Sequence, residues 1–545
     1  MSELDRSSRL DGDVSRPGVS ASLARSAGVI GATTLTSRVL GLVREQVMAY
    51  FFGASNAVDA FNVAFRIPNL VRDLFAEGAL SAAFVPTFTR TLARDGRDAA
   101  WRLGHSVVTA VLIATAIVAL LGIVFADPLV RLLAGDYALV PGKIELTVLL
   151  TRTMMPFLIL VATAAVAMGM LNSLDRFFVP ALAPAVFNVC SIATTLALLP
   201  VLGRLGIPLI LAMAVGVLVG GVGQVAIQWP VLRREGYRYR PMLDLKASGL
   251  REVLLLMGPG TLGLAATQVN VFVNTWLATG EGTGAVSWLN YAFRLMYLPL
   301  GLFGVSIATA SIPRIARRAA AEDRDGLRRT ISTGVSMMLA LTVPATLGLV
   351  VLARPIVALL FERGHFTPAD TAATAGALMC YALGLSGYSI VKVATPTFYA
   401  IGKSRVPVVV SAATISLNIA LNLMLVRTMG YRGLALGTSV AALANAAALI
   451  YLLRRELDGL HVSHMASVAL RMFGAGAVMA LVAWGVEYEL AARLTGHGLA
   501  IQVARVGLAI VCGLITLAGA ARLLRVQEFA EVTSAILTRV VRFSS

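Results

Sequence analysis

Charge is scarce in this 545-residue chain, where only 14% of residues are Asp, Glu, Lys or Arg and 57% are hydrophobic. Soluble domains carry about a quarter charged residues, so this composition excludes an ordinary water-facing surface and places the chain among polytopic membrane proteins. Cysteine is nearly absent. Cys190, Cys380 and Cys512 lie in apolar stretches with no CxxC pairing, which excludes a disulfide framework and a zinc site. Residues 1–25 are rich in Ser and Arg and contain no apolar run, so no cleavable signal peptide is expected and a disordered cytoplasmic tail is. Acids number 29 against 46 basic residues. The net charge of +17 does not imply nucleic acid, because the basic residues fall in short connections between apolar runs, as membrane topology requires. Neither paired acids nor a His nucleophile stands in an exposed loop, and no loop is long enough for a catalytic domain. This argues against an enzyme.

What the chain has is length of apolar sequence. About 20 apolar residues cross the hydrocarbon core as a helix, and fourteen such runs lie near 26–52, 59–89, 104–126, 146–172, 178–201, 207–231, 251–277, 285–312, 328–352, 369–397, 406–427, 431–453, 466–488 and 499–521. The second is the least hydrophobic and is expected to break near Pro68. The expected fold is therefore an all-α polytopic membrane protein with 14 transmembrane helices. Alternate connections, beginning with the N-terminal tail, hold 30 Lys and Arg residues; the opposite set holds 8. Such a bias puts both termini in the cytoplasm.

The sequence also repeats at a separation near 227 residues. Ala64-Phe65-Arg66 returns as Ala292-Phe293-Arg294, and Val85-Pro86 as Ile312-Pro313. Ala126-Asp127-Pro128-Leu129-Val130 returns as Ala353-Arg354-Pro355-Ile356-Val357. Val179-Pro180 matches Val406-Pro407, and Arg233-Arg234-Glu235 matches Arg454-Arg455-Glu456. Five ordered matches indicate two homologous halves. Each half has six spans, so the repeat is parallel, a recurring plan of transporters with the substrate site between halves. The expected organisation is a tail at 1–25, an N-lobe at 26–232, a C-lobe at 233–455, two added helices at 456–525 and a cytoplasmic tail at 526–545.

Eight basic residues lie within the spans: Arg38, Arg44, Arg66, Arg72, Arg152, Arg294, Lys392 and Arg505. Insertion scales put each Arg at the bilayer centre at roughly 2.5–3.5 kcal/mol. Half of them crowd the first two spans, beside Glu45, Asp59, Asp73 and Glu77. A self-neutralising ion-pair network is one reading. Spacing argues against purely local pairing, since adjacent Arg44 and Glu45 start on different helix faces and Arg38, Arg44 and Arg66 have no acid three or four positions away. A ligand-facing role is the favoured reading. Arg294 is the repeat mate of Arg66, so a twofold axis would bring both to one cavity. Guanidinium groups bind phosphate oxygens bidentately, which points to a phosphorylated or pyrophosphorylated amphiphile.

Ser37-Arg38-Val39-Leu40-Gly41-Leu42-Val43-Arg44-Glu45, Phe52-Gly53-Ala54 and Asp59-Ala60-Phe61 resemble the opening of the MurJ/MviN family. So do Phe65-Arg66-Ile67-Pro68-Asn69-Leu70, Arg72, Phe75-Ala76-Glu77-Gly78-Ala79-Leu80-Ser81 and Ala83-Phe84-Val85-Pro86, with Leu360-Phe361-Glu362-Arg363-Gly364 after the ninth span. The resemblance covers residues 24–530. It implies a lipid II flippase of the multidrug/oligosaccharidyl-lipid/polysaccharide exporter superfamily, with a V-shaped cavity between two six-helix lobes. Lipid II, an undecaprenyl-pyrophosphate carrying the peptidoglycan disaccharide-pentapeptide, would pass from the inner to the outer leaflet of the bacterial cytoplasmic membrane, in the service of cell-wall biogenesis and cell shape. Arg38, Arg44, Asp59, Arg72 and Arg294 match family cavity residues, and Arg44 and Arg72 are the first choices for pyrophosphate contacts. Asp59 and Glu77 would gate or hold arginines in position. The two added helices, 466–521, would line a groove for the lipid tail. Cell-wall synthesis proteins are candidate partners. Family members often carry an acid just before the span-8 arginine, where this chain has Phe293.

Polar residues raise a second site. Gln268, Asn270 and Asn274 lie in span 7, Asn418 and Asn422 one turn apart in span 11, and Thr438 in span 12. Some relatives resemble this pattern with acids at the Asn274 and Asn422 positions. Interhelical hydrogen bonding is the favoured reading of the amides; a sodium site at Asn274, Asn418, Asn422 and Thr438 is the alternative. No cofactor is expected, and the drive would be a Na+ or H+ gradient or the membrane potential. Gly258-Pro259-Gly260-Thr261-Leu262-Gly263 fits GxGxxG but lies in a span. Gly402-Lys403-Ser404 lacks the first glycine of a P-loop. Gly216 and Gly220 read as helix packing, and His461 and His464 as a solvated pair. The competing functions are an exporter of polyprenyl-linked polysaccharide or drugs, a membrane glycosyltransferase or phosphatase, and a non-transporting scaffold. The basic cavity disfavours drugs, and the scaffold leaves the arginines without purpose.

Overall fold

The computed structural model describes residues 17–73, 80–244, 248–494, 496 and 498–531, and among them there is no strand. Helices lie over all fourteen of the expected apolar runs. In chain order they are α1 (Pro17–Phe52), α2 (Asn56–Arg72), α3 (Leu80–Val124), α4 (Ala126–Ala134), α5 (Lys143–Met154), α6 (Phe157–Ser173), α7 (Phe178–Arg204) and α8 (Leu211–Arg234). There follow α9 (Ser248–Thr279), α10 (Ala285–Pro299), α11 (Val305–Ala320), α12 (Arg324–Val351), α13 (Ala353–Phe361), α14 (Pro368–Ala382) and α15 (Leu385–Ala400). The last four are α16 (Arg405–Met429), α17 (Tyr431–Glu456), α18 (Val462–Arg493) and α19 (Leu499–Leu523). Ten spans among the described residues are long and apolar enough to cross a membrane, or eleven when the pair α14 and α15, bent by 41°, counts as one. Apolar length thus supports fewer spans than the fourteen expected. The helices α1, α2 and α9 are not among those spans, and α2 has only 17 residues, with Asp59, Arg66 and Arg72 among them.

Two local expectations are corrected. Residues 17–25 of the expected disordered tail are helical. The helix α2 carries Pro68 inside it and ends four residues later at Arg72, so the proline itself does not stop the helix, although the second run is divided between α2 and α3. A kink falls at Gly96, within α3 and in the connection expected between the second and third runs, where φ 81° and ψ −179° leave the helical region. Only glycine takes that conformation without strain.

The repeat is visible in the element boundaries. The short helices α4 and α13 begin 227 residues apart, as do α7 and α16. The chain divides into two compact units, one formed by residues up to Met48 with Ala60–Gln268, the other by Ala49–Asp59 with the chain from Val269 onward.

In the first unit α7 lies along α8. Gly216 and Gly220 permit this: a Cβ on either would come within 2.8 Å of a carbonyl oxygen, of Ser191 and Phe187 respectively. Small residues at helix crossings allow such approach. The core joins Phe84, Phe88 and Leu103 of α3 to Met170 of α6 and Leu232 of α8. The helix α8 closes with Gly236 at φ +97°. Gly236 N donates to Arg233 O at 3.1 Å and Tyr237 N to Leu232 O at 3.0 Å, the double bond of a Schellman turn. That turn sends Tyr237 into the core against Trp101, His105 and Trp229, with ring centroids 5.3, 4.8 and 6.0 Å away.

In the second unit the added helices α18 and α19 pack on each other and α18 packs on α12, around Ala340, Met472, Met479 and Leu517. Polar bonds fasten them: Arg505 Nη2 donates to Glu487 Oε1 at 2.5 Å, and Arg363 Nη2 to Gln502 Oε1 at 3.2 Å. His464 is not simply solvated as expected. Its Nε2 lies 2.6 Å from Glu528 Oε1.

The turn between α1 and α2 also belongs to this unit. His365 N donates to Tyr50 O at 2.9 Å, and Tyr291 OH donates to Gly53 O at 3.1 Å. Gly53 and Gly364 have φ +64° and +62°, and a Cβ would lie 2.4 Å from His365 O or 2.1 Å from Tyr50 O. The two motifs that hold these glycines, Phe52-Gly53-Ala54 and Phe361-Glu362-Arg363-Gly364, therefore interlock. Gly364→Ala is expected to destabilise the protein by more than about 2 kcal/mol, from left-handed strain plus a backbone clash. Denaturant unfolding in detergent checks this, and an unchanged midpoint would refute the interlock.

Candidate functional site: arginines within an apolar chain

The first helix of the chain is apolar along most of its length and carries Arg38 and Arg44 with the residues of a ligand site rather than of a surface. Arg38 is part-buried. Among the described residues no hydrogen bond or ion pair engages it. It lines a cavity of about 470 Å³ with Thr34 and Ser37 of α1, Met168 and Asn172 of α6, and Phe177, Pro180, Ala181 and Pro184 at the start of α7. The wall is mostly apolar, with the hydroxyls of Thr34 and Ser37 and the amide of Asn172 in it beside the guanidinium-bearing Arg38. Asn188 Nδ2 donates to Ser37 O at 3.1 Å, which joins α7 to α1 beside that cavity.

Arg44 is different. It is buried, donates through Nη2 to Glu45 Oε1 at 3.1 Å and lies 5.5 Å from the centre of the Phe187 ring. The expectation that Arg44 and Glu45 diverge is therefore corrected. Adjacent Cβ atoms leave a helix about 100° apart, but the flexible arms of Arg and Glu fold back across that angle. Arg72 does the same with Asp73, through Nε at 3.1 Å and Nη2 at 2.8 Å. Both pairs are tighter than spacing rules for helix neighbours suggest. Arg66 is part-buried on α2. Glu77 lies outside the described residues.

Asp59 was expected to touch substrate or to gate. The structure gives its carboxylate another task. It is fully buried and accepts from Gly284 N at 2.7 Å, from Ser287 N at 3.1 Å and from Ser287 Oγ at 2.7 Å. Two of these donors are backbone N–H groups and the third a hydroxyl, all at the N-terminus of α10, whose N-cap Gly284 has no side chain to cap it. A carboxylate there satisfies donors that the helix leaves open and meets the positive end of its dipole. Asp59 is a cap supplied from a distant segment, and it presents no surface to a ligand.

Arg294 is exposed on α10. Phe293 packs against Tyr297 and Tyr381 with centroids 5.1 and 5.3 Å away. Of the intramembrane amides, Asn422 Nδ2 donates to Asn274 Oδ1 at 2.5 Å and to Asn418 Oδ1 at 3.2 Å. The trio spans α9 and α16 as an interhelical clamp. Thr438 stays out of it and donates to Leu434 O of its own helix at 2.7 Å. The oxygens offered to a cation are neutral; those of Asn274 and Asn418 already accept hydrogen bonds from Asn422, whose own Oδ1 is buried with no hydrogen-bond partner among the described residues. The GxGxxG glycines are helical, and Lys403 pairs with Glu456 at 2.8 Å; neither holds a nucleotide.

Asn172, Phe187 and Asn188 were missed by the sequence reading. The two amides carried the same signal as Asn274, a polar side chain inside an apolar run. Phe187 carried none.

A family model described as lipid II flippase MurJ matches residues 48–502. The probable lipid II flippase MurJ of Bdellovibrio bacteriovorus is 36% identical over 512 residues, covering 93% of this chain and 96% of that protein. The lipid II flippase MurJ of Burkholderia cenocepacia is 35% identical over 438 residues, 80% of this chain and 84% of its own. Among solved structures, a lipid II flippase MurJ in an inward closed conformation aligns with a TM-score of 0.73 at 24% identity, over 91% of this chain and 99% of that one. An inward-facing multidrug resistance MATE family transporter of the MOP superfamily aligns at 0.66 and 16%, over 79% and 98%. The structural likenesses speak for the fold.

Capping by Asp59 makes a prediction that a ligand contact does not. Asp59→Ala should lower stability by about 3 kcal/mol, since buried donors lose a charged acceptor, and Asp59→Asn by less. Thermal unfolding without substrate checks it; unchanged stability in Asp59→Ala would return the residue to the ligand.

Proposed function

The chain belongs to the MurJ family of lipid II flippases, and from that premise we propose that it moves lipid II from the inner to the outer leaflet of the bacterial cytoplasmic membrane by alternating access. The observation that carries the reading for this chain is Arg38, a part-buried guanidinium with no acid paired to it among the described residues, in a mostly apolar cavity that also holds two hydroxyls and an amide. That is the chemistry of a pyrophosphate joined to a polyprenyl chain. Arginine serves because its planar fork matches two phosphate oxygens and stays charged at any cellular pH. Arg38 is the first contact on this reading. Arg66 and Arg72 on α2 are further contacts, and Arg44 is a support held by Glu45 and Phe187. Arg294 is a separate candidate with its own variant.

The rest of the reading follows from the charge pattern and the amides. The protein is a transporter that changes no covalent bond in its substrate. Both termini face the cytoplasm, by the bias of basic residues. The membrane potential is the simplest drive, because moving one charge across 100 mV yields about 2.3 kcal/mol. A Na+ or H+ gradient is the alternative drive. Cell-wall synthesis proteins are partners in the sense that they make and consume lipid II. On this reading the tail is assigned to the added helices α18 and α19.

Arg38→Ala should cut lipid II movement at least tenfold, the loss expected from one charge-assisted hydrogen bond, while the unfolding temperature stays put because no native contact is removed. Arg38→Lys should recover part of it. The measurement is lipid II accessibility on the outer face in cells depleted of their own flippase, repeated in reconstituted vesicles. Unimpaired movement in Arg38→Ala combined with Arg72→Ala would sink the arginine assignment. Arg44→Ala should lose both movement and stability, which separates a support from a contact.

A further inference from the structure

The C-terminal turn of α8 carries two adjoining cavities, remote in sequence from the arginines of α1 and α2. Both have Trp229 and Arg233 in their walls. One, about 420 Å³, is otherwise apolar, with Leu160 of α6 and Val222, Val225, Ala226 and Pro230 of α8. The other, about 510 Å³, is bounded by Trp229, Arg233, Arg238 and Tyr239. The Schellman turn at Gly236 creates this second cavity, because it folds the chain back over the helix end and sets Arg238 and Tyr239 beside Arg233. Tyr239 is held in place by Trp229, 6.3 Å away edge-on, and by its hydroxyl, 3.1 Å from Thr109 Oγ1.

The charges in this mouth are uncompensated. Among the described residues no acid pairs with Arg233 or Arg238. Glu235, the acid beside them in sequence, is taken by Arg176 at 2.7 Å and lies 3.8 Å from Arg97. Both arginines are exposed. Trp and Tyr at the end of an apolar helix mark the level of the lipid headgroups, and paired basic residues at that level attract anionic lipid. An apolar groove, an aromatic rim and two unpaired guanidinium groups thus follow one another along the helix in the order of acyl chain, glycerol and phosphate.

We propose that the two cavities form one binding site for a phospholipid with an anionic headgroup, its acyl chain along Val222, Val225 and Pro230 and its phosphate at Arg233 and Arg238. The orientation proposed above makes this a lipid of the cytoplasmic leaflet; the chemistry of the site does not depend on that orientation. Nor does it depend on lipid II, since the site shares no residue with the Arg38 cavity.

The test is binding rather than transport, so its failure would leave the flippase reading standing. The full chain is reconstituted in phosphatidylcholine vesicles containing either phosphatidylglycerol or phosphatidylcholine brominated on its acyl chains. The contribution of Trp229 to quenching is taken as the difference from Trp229→Phe. Brominated phosphatidylglycerol should quench Trp229 at a mole fraction roughly tenfold lower than brominated phosphatidylcholine. Arg233→Gln combined with Arg238→Gln should abolish that preference, and no packed contact is lost because both side chains are exposed. Counting bound phosphatidylglycerol by native mass spectrometry makes the same comparison without altering Trp229. Equal quenching by the two lipids, or a preference that survives in the double variant, would overturn the proposal. Displacement of phosphatidylglycerol by excess inorganic phosphate would also overturn it, since the site would then be one for a free anion.

Discussion

A bilayer supplies no water to pair with a polar group, and most of this structure can be derived from that constraint. Backbone groups are satisfied by helix. Buried hydroxyls turn inward on their own helices: Thr147 donates to Lys143 O at 2.6 Å, Thr195 to Ser191 O at 2.8 Å and Thr397 to Val393 O at 2.8 Å. Charges are handled one by one. Lys143 is buried with its ammonium 3.8 Å from the centre of the Tyr137 ring, Arg505 has Glu487, and Arg44 has Glu45 with Phe187. Against this background Arg38 is an exception. A group with no protein partner among the described residues, where a partner is worth several kcal/mol, is a group kept for something that comes and goes.

The same accounting divides the motif residues into two kinds. The stretch from Ser37 to Pro86 is dense in recognisable positions, and density alone suggests one site. The structure instead gives Gly53 and Asp59 to the second unit as fasteners, Gly53 by the close approach of His365 O and Asp59 by capping α10. A buried carboxylate at a helix N-terminus needs no ligand to account for it, because the backbone already compensates its charge. Arg38 has no such account. A motif residue is therefore a ligand contact only after its partners within the protein have been exhausted.

The outline of the fold was legible because the membrane simplifies it. Apolar length marks helices, and matches at one separation mark the repeat, which the boundaries of α4 and α13 repeat in turn. The partners of the polar residues were not legible. Asp59 finds its donors 225 and 228 residues away, and nothing local to Asp59-Ala60-Phe61 announces α10. The Arg44–Glu45 and Arg72–Asp73 pairs were missed for the opposite reason. A rule about Cβ directions ignores how far two long side chains reach.

Phe293 shows what an apolar neighbour contributes beside an intramembrane arginine. Its ring sits between Tyr297 and Tyr381 and ties α10 to α14 by aromatic contacts worth about 0.5–1.5 kcal/mol each beyond their buried area. Packing fixes the helix face, and the helix face fixes the direction in which Arg294 leaves the helix.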